Sequence, residues 1–267
     1  MRRPTRTFRE RYGPWALVAG ASEGLGAEFA LQLAERGLDL VLVARRGELL
    51  EELAVRIRRE RGVQVRPVAA DLAGTDAVSA LEQATPDAEI GLLVYNAASS
   101  VIAPFLEGPV ERHLTELDVN CRTPLRLVHL FGRGMRARGR GGIILMSSLA
   151  GAQGSPFVAH YGATKAWNHV LAEGLWGELA HDGVDVMACC AGATKTPRYL
   201  AHRGAGSAFA PEMEPAAVVV EALAALGKRP SMVPGRANRL AAFVMQRLLP
   251  RRVAITMMGN ATRGLRE

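Results

Sequence analysis

Tyr161 and Lys165 sit four residues apart in "YGATK", in a chain with only four tyrosines and three lysines. At helical spacing, positions i and i+4 share one face a turn apart, so a phenol and an ammonium become neighbours and alter each other's acidity. A second group of chemical interest is "GASEGLG", with glycines at 20, 24 and 26, directly after the apolar run "WALVAG" and before a helical pattern. A glycine turn from strand into helix lets backbone approach a pyrophosphate, and the helix start supplies free N–H groups and partial positive charge. Its spacing, Gly-x-x-x-Gly-x-Gly, differs from the general dinucleotide fingerprint. A third group closes the second apolar run. Where NAD-binding chains carry an acidic residue for the ribose, this one has Ala44 followed by Arg45 and Arg46, a pair suited to a 2'-phosphate. NADP(H) is therefore expected in preference to NAD(H).

These groups need a scaffold, and the apolar patterning supplies one. Short Val/Leu/Ile-rich runs at 15–20, 38–44, 63–69, 90–95, 142–147, 184–190 and 231–234 alternate with helical stretches, which predicts βαβ units. The expected fold is α/β: one doubly wound, Rossmann-type domain over 1–267, with a mostly parallel seven-stranded sheet and helices on both faces. Two stretches break the rhythm. Residues 193–213, rich in Gly, Ala and Pro, follow the sixth strand and predict a mobile loop over the substrate, with Tyr199, Leu200 and Phe209 giving it an apolar character. The tail at 236–267 predicts an amphipathic extension, with Leu240, Phe243, Val244 and Leu248 on the side that packs against the domain or a partner subunit.

Composition narrows the function classes. The chain has 267 residues, 49% hydrophobic, and a formal net charge of +7. Its basic residues are mostly arginine and scattered, with no basic patch interleaved with aromatics, so no nucleic-acid partner is expected. Three cysteines, Cys121, Cys189 and Cys190, neither frame a disulfide scaffold nor space a zinc site, and no metal is expected. No uncharged apolar run approaches the length of a spanning helix. The expected setting is cytoplasmic, without membrane contact.

Taken in order, "GASEGLG", "DL" at 71–72, "NAA" at 96–98, "VN" at 119–120, "SSLAG" at 147–151, "YGATK" and "AGATKTP" at 191–197 resemble the classical short-chain dehydrogenase/reductases over nearly the whole chain. The resemblance implies a catalytic set of Asn120, Ser148, Tyr161 and Lys165. Tyr161 would be general acid in reduction and general base in oxidation. Lys165 would also hold the nicotinamide ribose, Ser148 would hydrogen-bond the substrate oxygen, and Asn120 would help hold a water near the lysine. Of the serine pair, Ser147 is set aside because consecutive strand residues face opposite ways. A phenol with a reference pKa of about 10 needs roughly 4 kcal/mol of preferential phenolate stabilisation to titrate near 7. The ammonium of Lys165 and the positive nicotinamide of the oxidised cofactor are the expected sources.

For the cofactor, the resemblance implies contacts from Gly20, Ser22, Gly24, Leu25, Gly26, Arg45, Arg46, Asp71, Leu72, Asn96, Ala97, Gly192, Thr194 and Thr196, besides Tyr161 and Lys165. Three positions depart from the family pattern: Tyr95 and Ala98 flank "NA" in place of Asn and Gly, and Ala191 replaces the proline before Gly192. The expected activity is hydride transfer between NADP(H) and a carbonyl or secondary alcohol of a small to medium apolar molecule, in a homodimer or homotetramer. Two other readings fit the same residues: a membrane-surface reductase of acyl or sterol-like substrates, and a non-catalytic NADP-binding regulatory module.

Overall fold

A computed structural model describes residues 6–202 and 211–263. After a short helix α1 (Phe8–Tyr12), strands and helices alternate: β1 (Trp15–Ala19), α2 (Gly24–Glu35), β2 (Asp39–Ala44), α3 (Gly47–Arg61), β3 (Val65–Ala69), α4 (Ala77–Ala84) and β4 (Ile90–Tyr95). The second half runs α5 (Val110–Leu117), α6 (Thr123–Arg138), β5 (Gly141–Ser148), α7 (Ala159–Leu179) and β6 (Val184–Ala191). It then continues with α8 (Pro197–His202), α9 (Pro215–Ala225), β7 (Ser231–Met232), α10 (Arg236–Phe243) and α11 (Arg251–Arg263). The seven strands form one sheet in the order β3-β2-β1-β4-β5-β6-β7, and every pairing is parallel.

Fully parallel strands bury both faces, which is why they read as unbroken apolar runs. Leu40 and Leu42 face one core with Val18, Phe29, Leu33 and Leu50; Val41 and Val43 face the other with Leu17, Leu93, Leu127 and Ile143. The strand order reverses between β1 and β4, and the crevice beyond their carboxyl ends is where a doubly wound sheet offers a site. All seven expected strands are present. β5 and β6 each run one residue further than anticipated, so that Ser148 and Ala191 pair at the rim of the crevice.

The helical run from α5 into α6 carries a π-turn at Asp118–Arg122. Tyr95, the residue that departs from the family pattern on β4, donates its hydroxyl to the carbonyl of Val119 at 2.6 Å and so fastens that turn to the sheet.

Two expectations about the later chain change. Within the stretch expected as a mobile loop, residues 197–202 are helical. Its two feet are joined: Thr194 bridges Met213, with Lys195 N–H donating to the Met213 carbonyl at 2.9 Å and Met213 N–H to the Ala193 carbonyl at 3.0 Å. Phe209 lies outside the described residues. The extension from 236 is also not one amphipathic helix: α10 passes through a π-turn, Val244–Leu248, before α11 begins. The expected stripe does not pack on the domain, with Leu240 at 65%, Phe243 at 55% and Leu248 at 63% exposure and Val244 partly exposed, so of the two expected surfaces the partner subunit remains; Asn238, Ala242 and Met245 are the buried positions. Small and narrow side chains face the domain because α10 lies close against the backbone of Gly192, where an added Cβ would come within 3.0 Å of the Asn238 carboxamide. Among the described residues, no helix is long and apolar enough to cross a membrane.

Candidate active site

A single crevice of about 680 Å³ gathers Gly20, Ser22, Arg45, Asp71 and Asn96 at one end and Ser148, Tyr161 and Lys165 at the other. The glycine turn has the shape of a backbone cradle. Gly20 adopts φ +80° and Gly24 φ +57°, both left-handed; a Cβ on Gly20 would press on Ala97, and one on Gly26 would overlap the Gly20 carbonyl oxygen. The turn is fixed from both sides: Gly20 and Ala21 N–H donate to the Val43 carbonyl at 2.7 and 3.1 Å, and Asn96 Nδ2 donates to the Gly20 carbonyl at 2.9 Å. Helix α2 begins at Gly24 with no side chain capping it, so its first N–H groups remain open to the crevice. Residues that hold backbone this close and leave helix-start donors unpaired fit a dinucleotide pyrophosphate.

The arginine pair divides. Arg46 is engaged by its own neighbours, 3.0 Å from Glu23 Oε2 and 3.0 Å from Ser22 Oγ. Arg45 is exposed at the crevice edge, and its guanidinium makes no hydrogen bond or ion pair among the described residues. Asp71 and Leu72 line the same end, with Asp71 accepting from Ala73 N–H at 3.1 Å.

At the other end, β5 delivers Ser148 and α7 delivers Tyr161 and Lys165. Ser147 and Ser148 behave as strand alternation requires. Ser147 turns inward and donates to the Lys165 backbone carbonyl at 2.7 Å. Ser148 accepts from Ala150 N–H at 3.2 Å and hydrogen-bonds the Tyr161 phenol. The Lys165 ammonium lies 5.7 Å from the centre of the Tyr161 ring and donates to the Met146 carbonyl at 2.8 Å. Asn120, in the π-turn, is fully buried. Its carboxamide accepts from Ser99 N–H and donates to the Ser99 carbonyl and Thr164 Oγ1, each at 2.9 Å, while Asn168 donates to its backbone carbonyl at 2.8 Å.

The electrostatics of the chain alone differ from the expectation. Burial pushes the Tyr161 phenol above its usual pKa; the hydrogen bond with Ser148 and the Arg198 charge pull it down, and Glu116 pushes it further up. Burial also lowers the Lys165 ammonium to about 8, against the nearby Cys121, Glu116 and Cys190, which favour its charged form. Both groups pay the desolvation of a dry site, so the protein does not make an acidic phenol unaided.

At the seventh-strand side, Thr194 donates to the Gly192 carbonyl at 3.1 Å, and Thr196 caps α8 by accepting from Tyr199 N–H at 3.3 Å. Every residue expected at the site lines this crevice except Asn120 and Gly26, which stand directly behind it as supports.

Several contributors were not anticipated. Thr164 and Asn168 hold Asn120, and both lie on the helical stripe 161-164-165-168 that begins at Tyr161, a spacing visible in the sequence. Arg198 reaches from α8 to Ser100 Oγ at 3.1 Å and places a positive charge near the phenol. Asn238, Ala242, Met245, Met258 and Thr262 come from the last two helices and close the wall opposite Ser148 and Tyr161. No motif marks them.

The short chain dehydrogenase family model matches residues 14–203. The chain is 38% identical over 233 residues to a 7beta-hydroxysteroid dehydrogenase of Clostridium sardiniense, covering 87% of this chain and 89% of that protein. Among solved structures, one described for 7beta-hydroxysteroid dehydrogenase stereoselectivity superposes with a TM-score of 0.89 at 32% identity, covering 95% of this chain and 99% of its own. A short-chain dehydrogenase from Sphingobium yanoikuyae in complex with NADPH gives a TM-score of 0.73 at 32% identity, covering 83% and 87%. With the family model matching most of the chain and relatives above 30% identity covered over most of their length, the chain belongs to the short-chain dehydrogenase/reductase family of oxidoreductases.

Proposed function

We propose that this protein is an NADP(H)-dependent dehydrogenase that interconverts a secondary alcohol and a ketone on a bulky, polycyclic apolar molecule of the hydroxysteroid class. The observation that carries the reading is the crevice wall. Ala241, Ala242, Met245, Met258 and Ala261, from α10, α11 and the π-turn between them, line the crevice that also holds Ser148 and Tyr161 and give this part of it a largely apolar surface, which suits a large apolar substrate with one oxygen to place. The likeness to the 7beta-hydroxysteroid dehydrogenase structure, over 95% of this chain, supports the reading. That supports a larger substrate than the small to medium one the sequence suggested.

Bound in the crevice, the nicotinamide dinucleotide supplies or accepts the hydride. The chain's own groups manage the oxygen. Ser148 donates a hydrogen bond to it and Tyr161 hands over a proton as negative charge develops during reduction, or removes the hydroxyl proton in oxidation. Lys165, held by the Met146 carbonyl, keeps a positive charge beside the resulting phenolate. Arg198 adds a second positive field. The remaining lowering of the phenol's pKa falls to the oxidised nicotinamide's charge. Arg45 reads the 2'-phosphate, because Arg46 is already neutralised by Glu23. The same reading has the protein act in the cytoplasm as a homo-oligomer on a small molecule.

The test is steady-state turnover with NADPH and NADH against a panel of ketosteroids, hydroxysteroids and short acyclic ketones. Expected is turnover of polycyclic substrates with a preference for the phosphorylated cofactor. Activity confined to acyclic ketones would sink the substrate class, and no turnover of any carbonyl or alcohol would sink the enzyme reading. Tyr161→Phe should cost about 1,000-fold in kcat with cofactor affinity retained, since only the proton donor is removed; near-normal kcat would overturn its role.

A further inference from the structure

We propose that His113, Glu116 and His160 form a binding site for one divalent transition-metal ion of the zinc class, tying α5 to the start of α7. None of the three residues lines the crevice, although Glu116 lies near enough to act on the charges of Tyr161 and Lys165. Glu116 has no exposed surface. Its Oε2 lies 2.6 Å from His160 Nδ1 and 3.6 Å from His113 Nδ1, and its Oε1 accepts from Val101 N–H at 3.3 Å. The three side-chain donor atoms all fall within 4.8 Å of one another.

A hydrogen-bonded Glu116–His160 pair explains only part of this arrangement. His113 Nδ1 is buried yet has no hydrogen-bond partner among the described residues, and an orphaned polar atom in the interior carries a desolvation cost that native structures rarely leave standing. A cation between the three groups removes the orphan and compensates the buried carboxylate in one step. His113 and Glu116 are three residues apart on one face of α5, and His160 approaches from the first turn of α7. The Phe105 ring stacks on His113 at 4.8 Å and 27°, which holds the imidazole in this orientation.

The donor set selects the ion. Two imidazole nitrogens and one carboxylate oxygen suit zinc, cobalt or nickel, whereas calcium and magnesium favour all-oxygen shells. Zinc bonds of about 2.0–2.1 Å in tetrahedral geometry require donor separations of about 3.3–3.4 Å, with a water as fourth ligand. The His113–Glu116 separation of 3.6 Å is already close to that. Rotation of the partly exposed His160 ring opens its shorter contact with Glu116 to the same value.

The experiment uses the full-length chain without a histidine tag, freed of metal by chelator. Cobalt(II) titration is expected to give a visible absorption band that saturates at one equivalent and is displaced by zinc, and one equivalent of zinc is expected to raise the unfolding midpoint. His113→Gln removes no hydrogen bond and should fold; it should weaken cobalt binding by about 100-fold or more, because one of three protein ligands is gone. An unsaturable band, no zinc stabilisation, or binding undiminished in both His113→Gln and His160→Gln overturns the proposal. Should either variant fail to fold, zinc K-edge absorption on the wild-type protein decides: two imidazoles and oxygen support the site, while sulfur ligation or fewer than two imidazoles refutes it.

Discussion

The two ends of the crevice are built by different means. At the cofactor end, backbone meets backbone: Gly20, Gly24 and Gly26 bring the chain so close that added Cβ atoms would strike Ala97, Thr196 and the Gly20 carbonyl. At the other end, the wall is made by side chains of α10, α11 and the π-turn between them, mostly small or apolar, with Asn238, Gln246 and Thr262 as polar exceptions and Asn238 Oδ1 without a hydrogen-bond partner among the described residues. Backbone cradles tolerate little change and leave a glycine signature. Side-chain walls can be refilled without disturbing the sheet, which lets one scaffold accept different substrates. The family model, ending at residue 203, stops short of α9, α10 and α11.

The sharpest way to break this contrast is Gly26→Ala. The new methyl must displace the Gly20 carbonyl and with it the turn, so a loss of about 3–4 kcal/mol in denaturant unfolding and of measurable NADPH binding is expected. Retention of both would mean that the cradle is softer than its packing implies. Lys165→Met tests the dry boundary between the two ends. With its folded pKa lowered to about 8, Lys165 binds fewer protons folded than unfolded at pH above that value. Its contribution to stability therefore rises as pH goes from about 8 toward its unfolded value of about 10.4, and at pH 7 the burial penalty is present in full. Lys165→Met removes that burial penalty but leaves the Met146 carbonyl without its donor, so it should flatten the rise with pH and abolish turnover. An unchanged slope in pH-dependent unfolding would contradict the lowered value.

Smaller effects separate the ends further. Arg45→Ala should weaken NADPH about 10-fold while leaving NADH within about 2-fold; equal weakening would remove Arg45 from phosphate recognition. Ala242→Leu, on the substrate wall, should raise KM for a polycyclic substrate by about 3-fold to 10-fold with cofactor affinity unchanged. A matching loss in cofactor binding would show that the wall and cradle are not independent.

How legible each end was follows from the same physics. Parallel strands announce themselves as apolar runs, and all seven were readable; the glycine turn was readable because only glycine fits it. The 161–165 spacing placed a phenol beside an ammonium, and the Thr164 and Asn168 positions on that stripe were available too. What the spacing does not carry is the burial of Tyr161 and Lys165, which raises one pKa and lowers the other in the chain by itself and depends on how much water the folded crevice excludes. The orientation of α10 escaped as well. Apolar residues at helical spacing left open whether Leu240, Phe243, Val244 and Leu248 meet the domain or a partner subunit; the close approach to the backbone at Gly192 excludes the first, because Asn238 and Ala242 occupy that side. His113, Glu116 and His160 were unreadable as a set, since a separation of 44 residues between Glu116 and His160 is closed only by the meeting of α5 and α7.

The π-turn at Asp118–Arg122 bears on how this chain tolerates length changes. A turn that closes over five residues where an α-helix uses four takes up one extra position, so α5 and α6 keep the facing of an unbroken rod. Removing one residue of that turn other than Asn120 would restore an ordinary α-helical pitch and leave Leu127 and Val128 on the sheet side. A deletion beyond the turn, within α6 itself, finds no such slack and would swing the rest of that helix by about 100°.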